Sequence, residues 1–158
     1  MIIQDLSVEE TENFRKRLGK RLKSTMGRWN PYWYPLFPVY KNINIIALKS
    51  DFVARTENIN KIRSIFINHN ISYAIQIREF ENARIISGFT DKEYFLEEDD
   101  SSLIIPFMSE CFWYDNSLDW IMYVSHEGTV TFEGEWLVKC IKEQLEDYLE
   151  FEIKNFIG

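Results

Sequence analysis

The sequence predicts an α+β fold with a mainly antiparallel sheet and helices at the N-terminus, in the middle and at the C-terminus. Three observations carry that expectation. Residues 8–24 repeat apolar positions at helical spacing behind a capping signal, whereas residues 73–78 alternate with the period of a strand. The strand-like runs are joined by connections of hairpin length, which suit antiparallel pairing rather than βαβ crossovers. A length of 158 residues, 46% hydrophobic and 27% charged, fits one globular domain over 1–158.

Ser7-Val8-Glu9-Glu10 forms a capping box, Ser7 as N-cap and Glu10 three residues on. Val8, Phe14, Leu18 and Leu22 follow as an apolar stripe, so a first helix is expected over about 8–24. The stretch Trp29-Asn30-Pro31-Tyr32-Trp33-Tyr34-Pro35-Leu36-Phe37-Pro38 ends it, because its prolines exclude helix and central strand. Two roles stand for this aromatic loop: packing across the core, or contacting a ligand or partner.

Residues 44–48 read as a short strand. Thr56 can cap a second helix with Ile59, Ile62, Ile65 and Phe66 inward, and Asn70 can stop it. Tyr73, Ile75 and Ile77 share one face of the next strand, and residues 84–89 offer its antiparallel partner across a turn at Glu81-Asn82. Tyr94-Phe95-Leu96 and Leu103-Ile104-Ile105 are expected as further strands, flanking the acidic loop Glu97-Glu98-Asp99-Asp100. The hairpin signal is clearest at 120–133, where His126-Glu127-Gly128 joins two alternating runs and Gly128 suits a bulged turn. A last helix is expected over about 135–151, with Leu137, Ile141, Leu145 and Tyr148 inward and Glu143, Glu146, Asp147 and Glu150 outward.

Charge is unevenly divided. Residues 13–28 hold seven basic side chains and no acid, while residues 90–158 hold seventeen acids against four bases. A net charge of −7 repels phosphate and attracts basic protein surfaces, which disfavours nucleic acid as a partner. The basic run reads as a solvated helix face. Cys111 and Cys140 lack CxxC or Cys/His spacing and are expected as free thiols of a reducing, cytoplasmic compartment. No signal peptide or membrane-spanning apolar run is visible in the sequence.

Chemistry-bearing motifs are scarce. Six glycines include neither GxGxxG nor GxxxxGK, and His126-Glu127 lacks the second histidine of a zinc-hydrolase motif. No catalytic residue, cofactor or metal site is therefore assigned. His69 near the end of the second helix reads as structural. The candidate partner-binding residues are Glu97, Glu98, Asp99, Asp100, Trp113, Tyr114, Asp115, Asp119, Glu143, Glu146 and Asp147, because carboxylates beside aromatic rings suit Arg- and Lys-rich proteins; a solvated loop at 97–100 and buried sheet residues plus a turn at 110–120 are the alternatives. An alternative is a small enzyme or ligand-binding protein with a pocket near His126 and Glu127.

The segment Asp119-Trp120-Ile121-Met122-Tyr123-Val124-Ser125-His126-Glu127-Gly128-Thr129-Val130-Thr131-Phe132, within 113–142, resembles one found in small bacterial immunity proteins of polymorphic-toxin and contact-dependent inhibition systems. That resemblance implies a cytoplasmic protein that binds and blocks a cognate toxin domain, often a nuclease. It carries no motif whose residues transfer position by position.

Overall fold

The computed structural model describes residues 2–26, 44–78, 81–95, 110–125 and 127–153. In chain order they form β1 (Ile2–Asp5), α1 (Val8–Met26), β2 (Ile45–Lys49), α2 (Ser50–Val53), α3 (Thr56–Asn68), β3 (Tyr73–Arg78), β4 (Arg84–Ser87), α4 (Lys92–Phe95), β5 (Cys111–Tyr114), β6 (Ile121–Val124), β7 (Thr129–Glu133), α5 (Glu135–Gln144) and α6 (Tyr148–Phe151). The aromatic loop at 29–38, the expected strand at Leu103-Ile104-Ile105 and His126 lie outside the described residues.

All the strands join one sheet in the order β1-β4-β3-β5-β6-β7-β2, and every pairing is antiparallel. The α+β expectation holds. Consecutive pairs β3–β4, β5–β6 and β6–β7 are hairpins, while β1 and β2 lie at opposite edges. Strand alternation sends two sets of side chains to two faces. Ile75, Ile77, Phe112, Tyr114, Ile121 and Tyr123 face Leu18 and Leu22 of α1. Ala74, Trp113, Met122, Val124, Val130 and Phe132 face a larger layer built from α2, α3, α4 and α5.

Helix α1 crosses several strands on its side of the sheet. Its first turn is closed as expected, with Glu10 N donating to Ser7 Oγ at 3.1 Å and Ser7 N donating to Glu10 Oε1 at 3.2 Å. Thr11 Oγ1 then accepts Ala83 N beside β4, Arg15 donates to the Arg78 and Glu81 carbonyls, and Arg21 reaches Leu118 O beyond β5. In the opposite layer Phe66 sits among Phe89, Phe95, Trp120 and Trp136. Buried rings of this size each contribute roughly 1.5–3 kcal/mol, which is how an aromatic-rich chain fills this layer.

Two expected elements differ. Tyr94 and Phe95 belong to α4, a short helix, because Asp91 O accepts both of their amides and turns the chain. The last helix breaks after Gln144, where Leu145 is extended (φ −92°, ψ 92°) and buried. That break lets the chain return to the edge of β2, where Ile153 N donates to Ala47 O and Leu48 bridges Glu152. Strand β1 and helix α2 were not expected from the sequence. No helix among the described residues is long and apolar enough to cross a membrane.

Candidate functional site

The acidic surface is built around α5. Glu135 and Glu143 lie eight residues apart on its exposed side, with the exposed Lys139 between them. Spacing of four residues stacks side chains on one helix face, so these form a single stripe. Glu146, Asp147 and Glu150 are exposed just beyond the helix end. None of Glu135, Glu143, Glu146, Asp147 and Glu150 pairs with a Lys or Arg side chain among the described residues.

Asp115 and Asp119 occupy the β5–β6 turn at the other end of α5. Asp119 O lies against Gly134, the N-cap of that helix, so Asp119 neighbours Glu135. A ten-residue helix spans about 15 Å, and the acids therefore bracket α5 rather than merge into one patch. Asp115 is largely committed to the turn: its carboxylate accepts Ser117 N at 3.0 Å and also the Ser117 hydroxyl. Leu118 adopts φ 56°, and Asp119 N donates to Ser117 Oγ. Glu97, Glu98, Asp99 and Asp100 lie outside the described residues.

Trp113 and Tyr114 require a correction, because both are buried in the sheet and present no surface to a partner. Trp113 Nε1 donates to Tyr94 OH at 3.3 Å in one layer, and Tyr114 OH donates to Phe14 O at 3.4 Å in the other. Their neighbouring carboxylates suggested an interface, whereas strand alternation of four consecutive buried residues, Cys111–Tyr114, spends them on the two cores.

The basic run of α1 is also partly structural. Arg15 and Arg21 hold the helix to the sheet, as above, and Arg17 lies over the Phe14 ring at 4.5 Å. Cations committed to intramolecular contacts are less able to meet phosphates. His69 stacks on Trp136 with centroids 4.1 Å apart, tying the end of α3 to α5.

The β6–β7 turn shows what Ser125 does. Its hydroxyl lies 2.7 Å from Thr129 Oγ1 and accepts Glu127 N at 3.1 Å, so it closes the hairpin. Glu127 and Gly128 are exposed. On the α1 side of the sheet the same strands carry a buried polar group the sequence reading missed. Glu110 is 1% exposed and accepts the Tyr123 hydroxyl; Glu133 is similarly buried and meets Arg21; Thr129 and Thr131 lie along the same strand face. The signal was present in Thr129, Thr131 and Glu133, which alternate on one face of a strand whose other face is Val130 and Phe132. Among the described residues no group of three or more His, Cys, Asp or Glu side chains could hold a metal ion.

No protein-family model, curated protein or solved structure matches the chain. Its class is therefore defined by architecture: an α+β protein in which one antiparallel sheet is covered by helices on both faces.

Proposed function

We propose that this protein is a cytoplasmic binding module of the immunity or antitoxin kind, which neutralises a basic cognate toxin domain such as a nuclease. The observation that carries the reading is the row of exposed carboxylates along and beyond α5, Glu135, Glu143, Glu146, Asp147 and Glu150, which meet no cation among the described residues. With Lys139 the one cation in that helix stripe, the excess of like charges is self-repelling, so a partner surface rich in Lys and Arg offsets that cost on binding. The local resemblance over 113–142 points to the same class.

Complementary charge acts mainly on encounter, raising association rates at low salt. The test is binding to the protein encoded by the adjacent gene, measured by surface plasmon resonance across a salt series. Association should slow as salt rises, and the variant Glu143→Lys/Glu146→Lys should associate about tenfold more slowly at low salt. Salt-independent association, or no binding, would overturn the reading.

A further inference from the structure

On the sheet face opposite α1, at the end of β3, a second polar group lies apart from the acidic surface. Gln76 and Arg84 are directly opposite across β3 and β4, Trp113 is opposite Gln76 on β5, and Cys111 is opposite Arg78. Arg84 donates to Gln76 Oε1 from Nε at 2.9 Å and from Nη2 at 2.6 Å. That fixes the orientation of the Gln76 amide, because its oxygen must face the guanidinium. Gln76 Nε2 consequently donates to Tyr94 OH at 3.1 Å, and Trp113 Nε1 donates to the same oxygen.

The hydrogen-bond bookkeeping leaves donors over. Tyr94 OH accepts both of those N–H groups, yet its own proton meets no acceptor among the described residues. Tyr94 as a residue is 4% exposed. The phenol keeps this proton at neutral pH, since burial pushes it up to about 12. Arg78 Nε is buried with no hydrogen-bond partner, although the side chain lies against the Cys111 thiol. Arg84 spends two of the five N–H donors of a guanidinium on Gln76.

The charges are similarly one-sided. The only carboxylate paired with either arginine among the described residues is that of Glu81, 3.7 Å from Arg78 Nη1 and 60% exposed. Such a contact contributes little. Arg84 has no carboxylate within ion-pair distance there, although Asp5 lies opposite it across β1 and β4. In a chain with 25 acids against 18 Lys and Arg, two half-buried guanidiniums beside an unspent phenol proton are conspicuous. Partly desolvated cations are costly unless an anion compensates them.

We infer that Arg78, Arg84 and Tyr94 form a binding site for an oxyanion, a carboxylate or phosphate group of a ligand, with Gln76 and Trp113 holding the phenol in place. The half-buried arginines supply charge and N–H donors, and the buried Tyr94 supplies an O–H donor. Arginine forks match both oxyanions in geometry. The site is independent of the toxin-binding reading.

The test uses the full chain labelled with ¹⁵N and titrated separately with inorganic phosphate, acetate and chloride, following the Arg Nε–Hε resonances. The Arg78 and Arg84 signals should shift saturably with phosphate, acetate or both, but not with chloride at equal ionic strength. Saturation by phosphate alone identifies a phosphorylated ligand, and saturation by acetate alone identifies a carboxylate. Tyr94→Phe, which keeps the ring in the core, should weaken binding about tenfold or more. Arg84→Gln should weaken it further, and Lys20→Gln on the exposed side of α1 should leave it unchanged. Urea midpoints verify that each variant is folded. Signals that stay unmoved by either oxyanion, that respond equally to chloride, or that lose their response equally in Lys20→Gln would overturn the inference, as would unchanged affinity in folded Tyr94→Phe.

Discussion

Arg21 on α1 reaches Glu133 on β7, with 2.7 Å between Nη1 and Oε1, and the glutamate side chain is 2% exposed. Residues far apart in sequence thus fix where α1 lies across the sheet. Glu133 shares its face of β7 with Thr129 and Thr131 and is buried opposite Ile121 and Ile45, so its charge depends on the groups around it. Removing Arg21 withdraws a cation from a buried carboxylate. Arg21→Met should cost about 3 kcal/mol in urea unfolding, the range for breaking a buried pair. The double variant Arg21→Met/Glu133→Gln should recover part of that loss, and strictly additive costs would show that the pair is not coupled.

Two glycines with positive φ should respond differently to a methyl group. Gly134 adopts φ +123°, and a Cβ there would overlap the Asp119 carbonyl oxygen at the junction of β7 and α5. Gly128 adopts φ +78° in the hairpin turn, with open space around the same position. Gly134→Ala should therefore cost about 2–4 kcal/mol through backbone displacement. Gly128→Ala should cost only about 1 kcal/mol, the conformational penalty alone. Thermal melts of both variants would separate steric from conformational cost, and equal losses would contradict the contact at Asp119.

The capping box at the start of α1 gives a smaller, local effect. Ser7 and Glu10 exchange side-chain to backbone hydrogen bonds at 3.1 and 3.2 Å and are exposed. Ser7→Ala should lower stability by about 1 kcal/mol, whereas Ser7→Asp should largely preserve it. Chemical denaturation read by circular dichroism checks both, and an unaffected Ser7→Ala would mean that tertiary contacts alone hold this helix end.

Features set by near neighbours were legible in the sequence, and features set across the sheet were not. The Ser7–Glu10 box, the alternation at 73–78 and the Gly128 hairpin each depend on a few adjacent residues. Asn70 could be read as a helix stop because it tolerates the left-handed conformation, and it adopts φ 56° there. The break at Leu145 depends instead on Ile153 reaching Ala47, about a hundred positions earlier in the chain. Tyr94-Phe95-Leu96 has strand-like composition, but the turn at Asp91 and burial of both rings bring Tyr94 and Phe95 into α4. Among the candidate site residues, Glu143 was legible as an exposed acid on a helix face from helical period, whereas Glu146 and Asp147 are exposed beyond the break after Gln144 and not on the continuous helix expected. Trp113 and Tyr114 fitted both a buried sheet and a partner surface, because a short strand buried on both faces has no polar alternation to show which layers cover it, and burial decides for the sheet. Arg78 and Arg84 were invisible as a pair, since only the β3–β4 and β3–β5 registers bring them to Gln76 and Cys111.

Those same neighbours give the protein a defined alkaline limit. Burial pushes the Cys111 thiol up to about 12 from an ordinary 9.0, although Arg78 pulls in the opposite direction. Tyr94 is raised to about 12 from 10.0 for the same principal reason. In both cases the folded state retains a proton that the unfolded chain releases. The unfolded state then binds fewer protons, so stability decreases with rising pH. The contribution from Cys111 is intact below about pH 9 and is lost progressively toward about pH 12, with Tyr94 adding to the loss above about pH 10. Urea midpoints should be level near pH 8 and fall steadily through this window. Cys111→Ala should be less stable at neutral pH because it opens a cavity, yet its midpoint should decline less steeply between about pH 9 and pH 10, where the native thiol is the larger contributor. Parallel declines in the two proteins would show that the buried thiol does not set the alkaline limit.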